Sequence, residues 1–416
     1  VVQIIFFRIK EIFMAHIAQD SLATIYFEII WESSHVRHVD AYLASEVSFT
    51  RDILPLGLKS RMRGLGPGDS VEMVFDPSDV TVHELGKIIE LPHSRFKAPL
   101  VHDRRIKPRI GRFYPQRLIE DVPGTRPDST APFRVISTDK AGFKADLNHP
   151  LAGRSVQIKA TVLDVHPPDT DSGTLHRWPS TLMRGPGMQA RMAEIATDFL
   201  GVDPFVRDDE IDDGEFYAKS LPSSFLDKQA LENVQKVYGG LLSDGMDVLD
   251  LMAGSLSHLP DGFKPGSVTG LGLNREVMEA NEKLGRVVVH NLNEESQLPF
   301  EENSFDAVVC TASVEYLTKP FEVFEDMSRA LKPGGIFVLT FADQWFASKA
   351  IHIWSELHEF ERMGLVCQYF SRSEKFIDLN TFSERGWPRL PDTEDVQTLD
   401  KNSDSIFAVW GRTQAE

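Results

Sequence analysis

Between Arg95 and Arg117 the chain sets eight Lys and Arg residues against a single acid, Asp103. The centre of that run, His102-Asp103-Arg104-Arg105-Ile106-Lys107-Pro108-Arg109, has the charge density to touch phosphates. The same charges suit a solvated loop, or docking on an acidic surface of the same protein. Further on, Asp203 and the stretch Asp208 to Glu215 form an acidic run that reads as a solvated loop rather than a metal site. The 13 histidines are scattered, with His35 and His38 the only close pair, so no metal site is expected. Cys310 and Cys367 cannot build a disulfide framework and read as reduced thiols of an intracellular, cytoplasmic protein.

These residues must be carried by more than one unit. At 416 residues the chain has room for two or three domains, and its 42% apolar and 25% charged content is that of an ordinary globular protein. No uninterrupted apolar run is long enough to span a membrane. Residues 1–166 hold 22 Lys/Arg and 20 Asp/Glu, whereas residues 167–416 hold 22 and 42, which gives net charges of +2 and −20 and sums to the overall −18. That balance argues against nucleic acid as a partner of the whole chain. At the start, Val1 to Phe13 is apolar but broken by Arg8, Lys10 and Glu11, with no small-residue cleavage site after it. It reads either as sequence upstream of a start at Met14 or as a short amphipathic segment.

From Ser21 onward the first half is β-like. Ala23–Trp31 is rich in branched and aromatic residues, a short helical stretch starts at Asp52, and Gly66-Pro67-Gly68-Asp69 is a turn before a strand at Ser70–Phe75. Further strands are predicted at Phe133–Ser137, Gly142–Asp146 and Ser155–Val165. Asp146-Leu147-Asn148-His149-Pro150-Leu151-Ala152-Gly153, followed by the strand Val156–Val165, resembles the FKBP-type prolyl isomerases, in their SlyD-like branch with an inserted chaperone flap. Gly68-Asp69 and Gly111-Arg112-Phe113-Tyr114 support the likeness. The resemblance implies an apolar prolyl pocket with Asp40 as its acid and Phe49 and Leu54 in its lining. It also implies an insert near residues 87–140 that holds unfolded or proline-containing chains. Val80-Thr81-Val82, Leu56 and Leu58 depart from the family pattern, so weak isomerase activity at most is expected. The metal-binding tail of that branch is missing.

A Pro/Gly/Ser-rich stretch, residues 166–187, reads as a linker, and Met188 to Leu200 has helical spacing within a lead-in over residues 188–224. From Phe225 the pattern alternates. A helix at Phe225–Leu242 precedes strands at Asp247–Leu251, Val268–Leu273, Val287–His290, Ala307–Cys310 and Ile336–Phe341. Helices at Arg275–Lys283 and Phe321–Leu331 fall between them, and Ser405–Arg412 suits an antiparallel edge strand. Such alternation predicts a parallel sheet covered by helices. Leu298-Pro299-Phe300-Glu301-Glu302-Asn303-Ser304-Phe305-Asp306, then Ser313-Val314-Glu315-Tyr316-Leu317, then Arg329-Ala330-Leu331-Lys332-Pro333-Gly334-Gly335 resemble the class I, type 11 S-adenosylmethionine-dependent methyltransferases. The expected fold class is therefore α/β plus α+β. A β-rich FKBP/SlyD-like domain with an insert occupies residues 21–165, after an extension at 1–20. A Rossmann-like methyltransferase sheet occupies 225–416.

The second resemblance places a cofactor, S-adenosylmethionine, at the carboxyl ends of the parallel strands. It implies contacts from Asp250, Ala253, Gly254 and Ser255 after the first strand. Two glycine positions of that motif hold Met252 and Leu256, and Gly272 stands where a ribose-binding acid is usual. Asn274 is then the expected ribose partner, Asn291 and Leu292 the adenine partners, and Glu315 and Tyr316 the residues facing the acceptor. Loss of one charge-assisted contact predicts affinity reduced to roughly tens to hundreds of micromolar, and an aspartate at Gly272 is expected to restore it. The alternative is a non-catalytic adaptor in which both folds only bind protein.

Overall fold

The computed structural model describes residues 16–97, 99–101, 104–166, 174–193, 195–217, 226–390 and 402–415. The expected N-terminal segment up to residue 15, His102 with Asp103, and parts of the linker and lead-in lie outside the described residues. The first half supplies β1 (Leu22–Glu32), β2 (Val36–Ser48), β3 (Ser70–Phe75), β4 (Ile88–Pro92), β5 (Leu100–Val101), β6 (Arg104–Arg105), β7 (Phe113–Pro115), β8 (Pro132–Thr138), β9 (Gly142–Asp146) and β10 (Val156–His166). Short helices α1 (Leu58–Met62) and α2 (Pro77–Val80) accompany them. The second half supplies α3 (Trp178–Leu182), α4 (Asp213–Tyr217), α5 (Lys228–Leu241), β11 (Asp247–Leu251), β12 (Ser267–Gly272), α6 (Arg275–Glu279), β13 (Arg286–Val289) and β14 (Phe305–Thr311). It ends with α7 (Pro320–Ala330), β15 (Leu331–Ala342), α8 (His352–Ser355), α9 (Glu359–Ser373), β16 (Phe376–Arg385) and β17 (Ile406–Thr413).

One sheet of eleven strands runs through both halves in the order β13-β12-β11-β14-β15-β17-β16-β2-β1-β10-β3. Strands β13 to β15 pair in parallel, as their apolar runs require when helices cover both faces. Strand β17 is antiparallel as expected, but it is not an edge: β16 pairs beyond it, and β16 in turn pairs in parallel with β2. The junction is polar and satisfied. His38 Nδ1 lies 2.7 Å from Thr381 Oγ1, and the Ser383 hydroxyl donates to Asp40 at 3.0 Å. Residues 88–146 fold outward as a separate four-stranded sheet, β4-β9-β8-β7, with its own core around Phe96, Tyr114, Phe133 and Phe143.

The predicted linker is in large part a packed joint. Trp178 and Leu182 are buried in the core of the first half together with Ala190, and Trp178 Nε1 donates to Asp52 at 3.0 Å. Gly187 lies so close to Pro150 that a Cβ would come within 2.7 Å of its carbonyl carbon. The described residues of Met188–Leu200 contain no helix, contrary to their spacing; Met188 and Phe199 instead enter the core of the second half beside Phe113. The Asp146–Gly153 motif is part of this joint. Asn148 bonds both the amide and the carbonyl of Glu84, and His149 Nε2 lies 3.0 Å from the Met183 carbonyl.

Of the three readings of the basic run, docking on the acidic half describes the contacts of Arg109 and Arg112, whereas Arg95 and Lys97 pair with Asp121 and Glu120 of the first half. Arg112 is fully buried and paired with Glu361 of α9 at 3.1 Å, and Glu361 also accepts the Phe113 amide at 2.9 Å. Arg109 pairs with Asp198 at 2.6 Å.

Candidate active site

A cavity of about 710 Å³ opens at the carboxyl ends of β11, β12 and β14, a volume suited to a small-molecule ligand. The sheet order reverses here: β12 and β13 lie to one side of β11, and β14 and β15 to the other. Asp250 closes the buried end of β11. Burial pushes its carboxyl up to about pH 7, against a hydrogen bond from Ser257, and its Oδ2 has no partner. Met252 follows with φ of 58°, a left-handed conformation natural to glycine and strained for other residues. The chain thus keeps the tight turn although the glycine is gone. Ala312, at the end of β14, is held similarly at φ 46°. Beyond the turn, Ala253 donates to the Leu271 carbonyl at 2.8 Å, and Gly254 faces open space with nothing within 4 Å of where its Cβ would stand.

Gly272 sits at the end of β12. A Cβ here would lie 2.4 Å from the Ala253 carbonyl oxygen and 2.9 Å from Met278 Sδ. The expected rescue by aspartate at this position is therefore overturned: the side chain has no room. Asn274 lines the cavity, but its Oδ1 caps α6 by accepting the Val277 amide at 3.2 Å. Asn291 holds its own turn, donating to Glu294 at 2.9 Å and accepting from the Asn293 amide at 3.0 Å, beside the buried Leu292.

The opposite wall is aromatic. Tyr217, Tyr316 and Phe346 line it with ring centroids 6.2–6.3 Å apart. Tyr316 accepts the Phe346 amide at 2.9 Å, and burial pushes its phenol well up, so it stays neutral. Asp213 lies at the same end. Burial raises its pKa, but hydrogen bonds from Asn293 and Lys349 and the charge of Arg207 outweigh burial and hold it below the usual range. Asn293 stitches the wall together: its amide nitrogen donates to Asp213 and to the Tyr316 carbonyl, both at 3.0 Å, and its oxygen accepts the Thr318 amide.

The cavity therefore gathers Asp250, Ala253, Gly254, Ser255, Asn274, Asn291, Leu292 and Tyr316 from the sequence-based set. It does not gather Glu315, whose side chain is buried behind the wall with Oε2 unpartnered and its pKa raised to about 8 by burial. Neither does it gather Asp40 and Phe49, the expected prolyl pocket. Both are buried, and Asp40 is ringed by Trp31, Gln189 and Ser383, so neither can touch a substrate. Sequence reading missed Asp213, Tyr217, Asn293 and Phe346. Only Asn293, two residues after Asn291, carried a positional signal.

Residues 251–339 match a family described as a methyltransferase domain. The chain contains a class I methyltransferase domain. The cofactor that the sequence resemblance implies for such a domain is S-adenosylmethionine. A curated relative, the biotin biosynthesis bifunctional protein BioHC of Teredinibacter turnerae, is 30% identical over 112 residues, which is 24% of this chain and 20% of that protein. The chain thus spans about a fifth of that relative's length. Among solved structures, a SAM-dependent methyltransferase from Aquifex aeolicus matches at 17% identity over 49% of this chain and 100% of its own, with a TM-score of 0.32. One from Mesorhizobium loti matches at 15% identity over 44% and 99%, with a TM-score of 0.30. The methyltransferase site fits its cofactor on two observations: the unpartnered Asp250 oxygen at its buried end, and the open approach to the Gly254 backbone. Among the described residues, no helix is long and apolar enough to cross a membrane.

Proposed function

We propose that the chain is an S-adenosylmethionine-dependent methyltransferase whose acceptor enters from the aromatic end of the cavity. The observation that carries this reading is the cavity itself, open at the strand switch between a carboxyl-lined turn and an apolar wall. The bound cofactor supplies an electrophilic methyl group on a sulfonium. The residues of the chain do the rest. Ala253 to Ser255 offer backbone to the ligand, Asn291 and Leu292 flank the adenine side, and Tyr217, Tyr316 and Phe346 form the wall against which an acceptor is aligned and from which water is excluded. In-line transfer depends chiefly on that alignment. Tyr316 remains on the acceptor side; Glu315 has no place in the site.

The acceptor is proposed to be protein-borne, delivered by the outward sheet of residues 88–146, around which Val82, Leu85 and Leu100 stand exposed. Loss of binding to an unfolded, reduced test protein on changing these three to Ser checks that part. Isomerase activity is not part of the proposal, because Asp40 and Phe49 are sealed. The main test is calorimetric titration of the full chain with S-adenosylhomocysteine. Saturable heat and a thermal shift at millimolar ligand are expected. No heat and no thermal shift at millimolar ligand would return the chain to the adaptor reading.

A further inference from the structure

We propose that Glu276 is the carboxylate that holds the ribose hydroxyls of the cofactor, in place of an acid at the end of β12; this rests on the methyltransferase reading above. Position 272 cannot take an acid, because the Ala253 carbonyl already fills the space where a Cβ would stand, 2.4 Å away. That carbonyl is not free to move aside, since its own residue is tied to β12 by the 2.8 Å bond to Leu271. A vicinal diol is best held by a carboxylate, which accepts both hydroxyls at once, so another acid on the wall has to serve.

Three acids line the cavity: Asp213, Asp250 and Glu276. Asp213 is occupied at the aromatic end by Arg207 at 2.7 Å, Asn293 at 3.0 Å and Lys349 at 3.2 Å. Asp250 is sunk at the end of β11, only 5% exposed. Glu276 remains. It lies four residues beyond Gly272, in the turn of α6 that presents Glu276, Val277 and Ala280 to the cavity on the β12 side. Its side chain is exposed and makes no ion pair or hydrogen bond to a described residue. Asn274, the nearer candidate, is committed to capping this helix. The longer glutamate arm, on the first turn of α6 just after the strand end, is then the acid left to reach the place that a strand-end aspartate reaches directly.

The test uses the full chain, wild type and Glu276→Gln, titrated calorimetrically with S-adenosylhomocysteine and with its 2′-deoxy analogue. An unchanged melting temperature without ligand certifies the fold of the variant. Wild type is expected to prefer the ribose ligand, and Glu276→Gln to bind it roughly ten- to a hundredfold more weakly with that preference collapsed. Affinity within twofold of wild type overturns the proposal while leaving the methyltransferase reading intact. Weaker binding with the ribose preference retained also overturns it, because the carboxylate then acts only as a distant charge. If wild type takes neither ligand, the methyltransferase reading fails and this inference with it.

Discussion

Asp40 and Asp250 are both buried carboxyls at strand positions of one continuous sheet, and they have opposite surroundings. Asp40 accepts from Trp31 Nε1 at 2.8 Å, from Gln189 at 3.1 Å and from Ser383 at 3.0 Å. Its donors come from the first half, from the joint and from β16, so the residue is a rivet between modules. Asp250 has an oxygen with no partner and a cavity in front of it. A buried polar group left unsatisfied costs free energy unless something else fills the vacancy. The first aspartate is therefore finished by folding, and the second is left with an acceptor open toward the cavity. The position of an acid on a strand does not separate these cases; the count of its partners does.

Cutting the rivet entirely should have the largest effect on the molecule. Residues 188–416 alone would expose the side of β16 that pairs with β2 and lose Phe113 from the larger core. We expect that fragment to be aggregated or molten, and the full chain to unfold in one cooperative transition for both halves. Two separate calorimetric transitions, with the fragment melting at its full-length temperature, would restore the picture of two independent units. A smaller effect tests the same joint at one pair. Glu361→Ala leaves Arg112 buried without its counter-charge, which costs about 3–5 kcal/mol. Urea denaturation checks this, and Arg112→Met combined with Glu361→Leu should recover much of the loss.

How far the sequence could anticipate this follows from where each residue finds its partner. Strands such as Asp247–Leu251 and Ile336–Phe341 were legible because both faces are covered and the whole run is apolar. Among the strands that were not predicted, β2 and β16 hold His38, Asp40, Thr381 and Ser383, polar residues that break an apolar strand pattern. They are tolerated in the sheet only because they satisfy one another across it, over some 343 positions of chain. The motif residues of the cavity were legible as local patterns. Glu315 and Tyr316 could not be told apart, because in the single 3₁₀ turn Val314–Tyr316 successive side chains point about 120° apart. The sealing of the expected prolyl-pocket residues was invisible for a related reason. Their stopper, Gln189, comes from a stretch that spacing marked as a helical lead-in beyond the linker.

Titration sharpens the contrast between the two aspartates. Unfolded, Asp250 loses its proton near pH ~4; folded, it keeps it to about 7 because burial disfavours the charge. Its contribution to stability is thus complete below pH ~4 and is lost as pH rises to 7, by about 4 kcal/mol at most. Asp250→Asn should therefore stabilise the ligand-free protein at pH 8 and leave it unchanged near pH 4, as read from denaturation midpoints. Burial raises the Asp40 carboxyl too, against hydrogen bonds from Trp31, Ser383 and Gln189, but Asp40→Asn should still destabilise at pH 8, by about 1–3 kcal/mol, since an amide cannot accept from all of its donors. Equal behaviour of the two variants would mean that partner count does not distinguish them.

The smallest expected effect falls on Asn274, where a capping role and a ligand role compete for one side chain. The hydrogen bond to the Val277 amide uses its oxygen, and a serine hydroxyl can make the same cap. Asn274→Ser should accordingly leave both stability and S-adenosylhomocysteine affinity near wild type, whereas Asn274→Ala should cost about 1 kcal/mol of stability by stripping the cap. The two variants separate the roles because serine keeps the acceptor for the helix and discards the amide nitrogen that alone could reach a ligand. A serine variant with an unchanged melting temperature but affinity lowered tenfold would hand the ribose back to Asn274. It would also show that a capping side chain on the rim of this cavity can serve the helix and the ligand at once, through different atoms.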